Sequence, residues 1–275
     1  MAFSVGLQVY SVRDYAEKDL KGTLKKIKEM GYDGVEFAGL YGHSPSEVKN
    51  MVEEIGLVPI SAHVPIEEML SDPDNVIAGY AEIGCKYIAV PYLVESRRPG
   101  TDGFEQTIKD IEMLGSIAKR HGIQLLYHNH DFEFKKVNGE YALDILYQTI
   151  SPELLQTEID TCWVNVAGEN PAEYVRKYTG RAPVVHLKDF VMGSKKAEKM
   201  YDLIGIESDK KAESKDEAFG FRPVGYGVQN FPAILTASEE AGTEWIIVEQ
   251  DSPSMGKTSM ECADISRRYL KSLGI

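Results

Sequence analysis

The chain has 275 residues, 43% of them hydrophobic, and a formal net charge of -13 with an isoelectric point near 5.0. This length fits one large α/β barrel, for which about 250 residues are typical, or two small domains. The acidic excess disfavours nucleic acid and anionic membranes as partners, because both would repel the protein. A small neutral or metal-bridged molecule is the expected partner.

Cysteine usage and the amino-terminal residues bear on the compartment. Cys85, Cys162 and Cys262 are odd in number and lie far apart, so neither a disulfide framework nor a CxxC metal site is expected. The first residues, MAFSVGLQVYSVRD, lack the features of a signal peptide, and no stretch approaches about eighteen apolar residues. These features predict a cytoplasmic protein.

Short apolar runs alternate with helical patterns along the chain. Strand-like runs begin near Val5, Gly34, Val58, Tyr87, Gln124, Leu155, Val184 and Trp245. Most are about 25 to 37 residues apart, the length of one strand followed by one helix. In the first helical pattern Leu20, Leu24 and Ile27 share one face, and Gly31 marks its end. Strands that alternate with helices predict a parallel sheet.

Eight such units predict a single (β/α)8 TIM-barrel domain over residues 1–275. The interval before the last strand is about twice as long as the others, and we interpret residues 192–222 as an elaborated loop. Loops after strands lie on the catalytic face, so this segment is a candidate lid, with a solvated loop as the alternative. An open doubly wound sheet is less favoured, because no GxGxxG or GxxxxGK[ST] motif occurs.

Four of the later apolar runs end with a side chain that binds divalent metals. They are His128 in LLYHNHDF, Asp160 in LLQTEIDTCW, His186 in PVVHLKDF and Glu249 in WIIVEQD. Adjacent strands lie about 4.8 Å apart, so neighbouring strand ends can bring these groups to one ion. A lone strand histidine is usually a hydrogen-bonded structural residue, but burying four unpartnered ionisable groups would cost several kcal/mol each. The set therefore predicts one divalent metal site.

Side-chain alternation places further polar residues on the same strand faces. These are His130 beside His128, Glu158 beside Asp160, Lys188 beside His186, and Asp251 beside Glu249. If the earlier residue of each pair fills the barrel, the later residue, which lies nearer the carboxyl end of its strand, reaches the mouth of the barrel.

Motifs along nearly the whole chain resemble the xylose-isomerase-like TIM barrel superfamily, within it the sugar phosphate isomerase/epimerase family and its inosose-dehydratase-like branch. The motifs are GLQVYSVRD, GYDGVEF, SAHV, YHNHDFEF, EIDTCW, VVHLKDF, PVGYGVQNF and IIVEQD. Each is moderately specific, and their order makes the set strongly so. The resemblance implies one divalent ion, foremost Mn²⁺ with Zn²⁺, Co²⁺ or Mg²⁺ as alternatives, held by His128, Asp160, His186 and Glu249.

The resemblance also implies proton abstraction next to a carbonyl that the ion polarises. Glu249 is the first candidate base, with His130, Glu158 and Lys188 as alternates. Lys188 is a candidate substrate ligand too, since it could neutralise an oxyanion or protonate a leaving hydroxyl. A salt bridge from Lys188 to Glu158 or Asp189 is the structural alternative.

Three other residues are candidates for substrate contact. By resemblance, Glu36 in GVEF and His63 in SAHV contact sugar hydroxyls, with polar pairing inside the barrel as the alternative. Trp163 could form an apolar wall, although packing uses the same residue type. Arg97 and Arg98 are candidates for attracting a phosphate, but their position in a turn favours a solvated charge pair as the interpretation.

Two positions depart from the commonest family pattern. His128 stands where epimerases hold a second proton-handling glutamate, and Trp163 stands where they tend to hold a histidine. Inversion at a carbon is therefore not expected, and the YHNH segment is similar to the inosose-dehydratase-like branch. The expected reaction is isomerisation or dehydration of a keto sugar or keto inositol, a step of carbohydrate metabolism catalysed by an isomerase or lyase.

Two other functions are alternatives. A DNA repair nuclease on this fold would need a multinuclear zinc cluster and a basic face, which six histidines and a net charge of -13 oppose. A non-catalytic sugar-binding or partner subunit is disfavoured because all four ligand positions are retained. Self-association into a homo-oligomer stays open.

Overall fold

Eight parallel strands close into a barrel in which strands that follow one another in the chain are neighbours, and the last strand pairs with the first. The computed structural model describes residues 3–192 and 219–275. The strands are β1 Ser4–Gln8, β2 Gly34–Ala38, β3 Val58–His63, β4 Tyr87–Val90, β5 Gln124–His128, β6 Leu155–Asp160, β7 Val184–Leu187 and β8 Trp245–Val248. The predicted (β/α)8 TIM barrel is confirmed.

A helix follows each strand and covers the outside of the barrel. These helices are α1 Leu20–Met30, α2 Pro45–Ile55, α3 Pro73–Ile83, α4 Phe104–Arg120, α5 Ala142–Thr149, α6 Pro171–Lys177, α7 Phe231–Ala241 and α8 Ser259–Ser272. Shorter helices at Arg13–Ala16, Ile66–Ser71 and Thr161–Val166 lie in the loops. Helix α1 ends at Gly31, whose φ of 92° is the left-handed conformation that a glycine adopts without strain.

The inside of the barrel is apolar at the amino end of the strands and polar at the carboxyl end. The apolar layer consists of Ile60, Tyr87, Ala89, Leu126, Val184 and Ile247. Gly6 and Gly34 leave room for this layer, because a Cβ atom at either position would collide with Ile60. The next inward positions carry polar groups, such as Gln8 after Gly6 and Glu36 after Gly34, and all of these are buried.

The loop between β7 and α7 begins as an antiparallel pair of Asp189–Val191 with Gly220–Arg222. The predicted lid at 192–222 falls mainly on residues 193–218, which lie outside the described residues. The base of the loop is held by Asp189, a buried carboxylate. It accepts hydrogen bonds from the backbone N–H groups of Phe190, Gly225, Gly227 and Gln229.

Two further observations concern the apolar character of the helices and the state of the cysteines. In the described residues, no helix has both the length and the apolar character needed to cross a bilayer. Cys85, Cys162 and Cys262 are buried free thiols, and none is joined to another cysteine. The PVGYG motif, for which the sequence predicts no chemical role, contains Gly225 and Gly227, whose backbone N–H groups donate to Asp189.

Replacing Asp189 by alanine should destabilise the protein. The change leaves four backbone donors without their acceptor, so we expect the free energy of unfolding to fall by about 2–4 kcal/mol. Urea denaturation followed by circular dichroism measures the loss. The control is Asp264→Ala, which removes only an exposed pair with Arg268 and should change stability by about 0.5 kcal/mol or less. Equal losses in the two variants would contradict the anchoring role of Asp189.

Candidate functional site

A cavity of about 420 Å³ opens at the carboxyl ends of the strands. Small-molecule sites usually measure roughly 300–1,000 Å³, so this volume suits a ligand of monosaccharide or cyclitol size. Five predicted site residues line the cavity, namely His63, His128, His130, Lys188 and Glu249. Tyr10, Tyr92 and Asp251 also contribute to its walls.

The four predicted metal ligands lie together at the bottom of this cavity, where His128 and Glu249 line the wall and Asp160 and His186 are buried next to them. His128, Asp160, His186 and Glu249, called here the outer set, are buried and each offers a ligand atom within 4.8 Å of the others. Parallel pairing of β6 with β7 brings Asp160 opposite His186. Two imidazoles and two carboxylates form a donor set that suits a divalent cation such as Zn²⁺ or Mn²⁺. The residues present therefore fit the expected ion.

Asp160 is fixed by contacts on both of its neighbouring segments. Its Oδ1 atom caps the helix Thr161–Val166 by accepting hydrogen bonds from the backbone N–H groups of Cys162, at 2.8 Å, and Trp163, at 3.2 Å. Its backbone is held by Asn129, whose Oδ1 accepts from Asp160 N at 3.0 Å and whose Nδ2 donates to Asp160 O at 3.3 Å. The amide of Asn129 thus joins the ends of β5 and β6, beside two members of the outer set.

Lys188 is buried among three carboxylates. Its Nζ atom lies 3.1 Å from Asp160 Oδ2, 3.0 Å from Glu249 Oε2 and 3.1 Å from Asp251 Oδ2. Burial lowers the pKa of Lys188, but the carboxylates outweigh burial and raise this pKa well above its usual value. The side chain is therefore an ammonium. The structural alternative of a salt bridge from Lys188 to Glu158 or Asp189 is wrong, because Glu158 pairs with histidines and Asp189 with loop backbone.

A second cluster lies one step deeper in the barrel, around Glu158. Its Oε1 atom is 2.5 Å from His63 Nε2, 3.0 Å from His128 Nδ1 and 3.2 Å from His186 Nε2. His63, His128, Glu158 and His186, called here the inner set, also place ligand atoms within 4.8 Å of one another. Glu36 borders this set, since its Oε2 atom lies 2.8 Å from His186 Nε2. Gln8, at 2.7 Å, and Ser61 donate hydrogen bonds to Glu36.

Three of the residues predicted for catalysis or substrate contact do not line the cavity. Glu36, Glu158 and Trp163 have no exposed surface and are absent from the cavity wall. Sugar contact by Glu36 or Trp163 and proton transfer to substrate by Glu158 stay predictions. Trp163 supports a wall residue, His130, with ring centroids 5.2 Å apart. Glu158 shares the inward face of β6 with Asp160, as side-chain alternation predicts, since His128 contacts both carboxylates.

The histidines of the site differ in protonation state, because carboxylates outweigh the effect of burial at some of them and not at others. It lowers the pKa values of His128 and His130 well below the usual value, so both rings are neutral. Burial acts the same way on His186, but Glu36 and Glu158 outweigh it and raise the pKa of His186 well above its usual value. A metal ligand must be a neutral imidazole, so cation binding at His186 releases a proton.

The YHNHDFEF segment fixes the cavity wall beside β5. Buried Glu133 accepts hydrogen bonds from Tyr127 Oη at 2.6 Å and from the backbone N–H of His130 at 2.8 Å. The His130 ring stacks on Phe132, with centroids 5.6 Å apart and planes 9° apart. Arg98 covers the other side of this wall, with its guanidinium carbon 4.3 Å from the Phe132 ring centroid.

Arg97, the neighbour of Arg98, forms ion pairs with protein groups. Arg97 donates to Asp110 at 2.7 Å and also lies 3.2 Å from Glu67. Arg98 donates to the backbone oxygen of Leu93 at 2.9 Å. The expectation of a solvated charge pair in this turn is therefore wrong, because both arginines are half-buried and engaged with protein groups.

A model of the xylose isomerase-like TIM barrel family matches residues 24–273. The chain belongs to this family. Among curated relatives, inosose dehydratase of Clostridium beijerinckii is 29% identical over 164 residues, which cover 58% of this chain and only 51% of that protein. Inosose dehydratase 2 of Bacillus cereus is 25% identical over 277 residues and covers 93% of this chain and 90% of the relative. Both relatives are dehydratases by name, so enzymatic activity is supported at the level of the family.

Solved structures support the fold. A sugar phosphate isomerase/epimerase from Parabacteroides distasonis has a TM-score of 0.74 and 23% identity, with 99% of this chain and 95% of that chain covered. The IOLI protein, whose structure holds a zinc atom, has a TM-score of 0.71 and 16% identity, with 98% of each chain covered. The predicted resemblance to this superfamily is confirmed.

The buried carboxyl of Glu133 predicts a pH dependence of stability. Burial raises its pKa from 4.5 to about 8, so the folded protein binds more protons than the unfolded chain between these values. The stabilisation is present below the unfolded pKa and is lost as the pH rises through the folded pKa. Glu133→Gln should flatten the fall in unfolding free energy between about pH 5 and pH 9. Urea titrations at several pH values test this, with exposed Glu53→Gln as the control. The same slope in wild type and Glu133→Gln would contradict the assignment.

Proposed function

We propose that this protein is a divalent-metal-dependent enzyme that removes a proton next to the carbonyl of a keto sugar or keto inositol. The product arises by isomerisation or by loss of water. The supporting observation is the outer set, which brings four ligands from four consecutive strand ends to the bottom of a sugar-sized cavity. The dehydratase relatives support the chemical class.

His128, Asp160, His186 and Glu249 would hold the ion, for which we propose Mn²⁺ with Zn²⁺, Co²⁺ and Mg²⁺ as alternatives. The zinc atom of the IOLI protein supports a metal in this family. When bound, the ion would polarise a substrate carbonyl and so acidify the adjacent C–H bond. The remaining steps fall to side chains that line the cavity.

Glu249 is the base in this proposal. Burial would raise its pKa, but Lys188 and His186 outweigh burial and hold the pKa well below its usual range, so the carboxylate is ionised at neutral pH. Because it lines the cavity, it can receive the proton from the substrate carbon. His130, a neutral wall residue, is the alternate base.

Lys188 is the acid in this proposal. Its ammonium lines the cavity and lies 3.0 Å from Glu249 Oε2, so the proton acceptor and the proton donor are neighbours. In dehydration, Glu249 takes the proton from carbon, the C–O bond breaks, and Lys188 protonates the departing hydroxyl so that water leaves. Asp251, 3.1 Å from Lys188, has its pKa raised to about 7 by burial and is suited to exchange a proton with it.

In this proposal the histidines of the site are held in position by Glu36, Glu158 and Trp163. Glu158 contacts the rings of His128 and His186 from below, which fixes the direction of their nitrogens toward the outer set. Glu36 does the same for His186, at 2.8 Å. Trp163 holds the His130 ring in the wall.

Metal retention should depend on the outer set. Asp160→Ala and His186→Ala each remove one ligand from a four-ligand site, and we expect the manganese-loaded variants to lose the single bound ion. Elemental analysis after removal of loosely bound metal measures the content. The control is His121→Ala, which changes a partly exposed histidine that pairs with Asp74 and belongs to neither set. One ion per chain in both outer-set variants would refute the ligand assignment.

The reaction type can be tested with candidate substrates. We expect the manganese-loaded protein in D₂O to catalyse deuterium exchange or water loss with scyllo-inosose and 3-keto-glucose derivatives. Glu249→Gln should slow this turnover by about 10²–10⁴-fold if Glu249 moves the proton. Mass spectrometry and NMR follow the label.

Inversion is not expected, because His128 replaces the second proton-handling glutamate of the epimerase pattern. Efficient interconversion of ketohexose carbon-3 epimers that survives His128→Ala would overturn this argument. Tight substrate binding without exchange or water loss would favour the non-catalytic alternative instead.

A further inference from the structure

We propose that the inner set, His63, His128, Glu158 and His186, is a second cation position that competes with the outer set for a single ion. A nitrogen-preferring ion such as Zn²⁺ occupies the inner set, and an oxygen-preferring ion such as Mn²⁺ occupies the outer set. The inference rests on the metal site of the proposed function but not on its substrate or reaction.

The inner set has the composition of a metal site. Ring nitrogens of three histidines surround one oxygen of Glu158, at 2.5, 3.0 and 3.2 Å. His128, Glu158 and His186 are buried, and the His63 side chain is only 9% exposed. Three imidazoles and one carboxylate match the nitrogen and oxygen donors that zinc sites use.

The charges around the inner set leave room for a cation. In the described part of the chain, the ion pairs of Glu36 and Glu158 involve histidines and no lysine or arginine. The Oε2 atom of Glu158 is buried and receives no hydrogen bond from the described residues. Two adjacent buried carboxylates without a permanent cation are costly, and a divalent ion would relieve that cost. The outer carboxylates differ, because Lys188 already compensates them.

Two histidines belong to both positions through opposite ring nitrogens. His128 turns Nδ1 to Glu158 at 3.0 Å and Nε2 to Asp160 at 3.5 Å. His186 turns Nδ1 to Glu249 at 2.8 Å and Nε2 to Glu158 at 3.2 Å. A neutral imidazole has one lone pair and carries its proton on the other nitrogen. The two positions therefore exclude each other, and one ion per chain selects between them.

Each choice leaves the ring protons satisfied. With an ion at the outer set, the Nδ1–H of His128 faces Glu158 and the Nε2–H of His186 faces Glu36. With an ion at the inner set, both rings exchange tautomers, and the N–H groups face Asp160 and Glu249. A carboxylate behind each ligating imidazole is the usual support of a histidine metal ligand.

The donor atoms decide which ion prefers which position. The inner set offers three nitrogens and one carboxylate, whereas the outer set offers two nitrogens and two carboxylates. Imidazole suits Zn²⁺, while carboxylate suits Mn²⁺ and Mg²⁺. Metal identity would thus determine whether the ion borders the acid and base of the cavity.

The test measures the affinities of Zn²⁺ alone and Mn²⁺ alone by competition with chromophoric chelators. His63→Asn alters only the inner set, and we expect it to weaken Zn²⁺ binding at least about tenfold and Mn²⁺ binding less than about twofold. Asp160→Asn removes a carboxylate ligand from the outer set only and leaves the amide oxygen to accept from His128, so we expect a larger loss for Mn²⁺ than for Zn²⁺. His121→Asn, the same substitution at a partly exposed histidine that belongs to neither set, should change neither affinity.

Unchanged zinc affinity in His63→Asn, or an equal loss for both metals, would overturn the inner position. Anomalous scattering from wild-type crystals soaked in zinc alone gives an answer that does not depend on how a variant folds. A zinc peak bonded to His63 and Glu158 supports the proposal, and a peak bonded only to the outer set rejects it. These measurements use no substrate, so a lack of turnover by the manganese-loaded protein would refute the proposed function and leave this inference standing.

Discussion

Five carboxylates lie buried in one cluster at the carboxyl end of the barrel, and their need for compensation constrains the rest of the site. They are Glu36, Glu158, Asp160, Glu249 and Asp251. An unpaired buried carboxylate costs several kcal/mol, so each must find a cation, a proton or a hydrogen-bond donor. Lys188 compensates the charges of Asp160, Glu249 and Asp251. Histidines compensate Glu36 and Glu158. Such an arrangement holds its charges in place before any ligand arrives, which is the form of electrostatic preorganisation that catalysis uses.

The segment after β5 shows how the sequence maintains this arrangement. Residues that point away from the barrel axis build a support behind those that point inward. Tyr127 donates to Glu133, which in turn accepts from the backbone of His130. Asn129 bridges to the backbone of Asp160 on the next strand. The polar residues of YHNHDFEF between the two histidines therefore place the ring of His130 and tie the end of β5 to β6, so the motif is structural as much as chemical.

Strand starts, helix ends and the inward direction of most site residues could be predicted, because they are local properties of period two, period 3.6 and glycine placement. The depth of each side chain in the barrel and its interaction partners could not be predicted, because they depend on the stagger between strands. A register shift between β2 and β3 pairs Val35 with Pro59 but Glu36 with Ser61. Ile60 is the extra residue, and it reverses the alternation so that Ser61 and His63 also face inward. Asp251 was left out of the predicted site because it follows β8 by three residues and its partner Lys188 is visible only in three dimensions.

The identity of residue 128 follows from the same balance of charge. With a divalent ion at the outer set, the ion and the ammonium of Lys188 together match the three carboxylates Asp160, Glu249 and Asp251. A neutral His128 keeps that balance, whereas the glutamate of the commoner family pattern would add an uncompensated buried charge. The carboxylate that gives epimerases a second proton-handling group is thus difficult to accommodate beside the three that Lys188 already gathers. On this view the imidazole at position 128 and the carboxylate at position 251 satisfy one electrostatic constraint, and in the proposed function one-sided proton transfer follows from it.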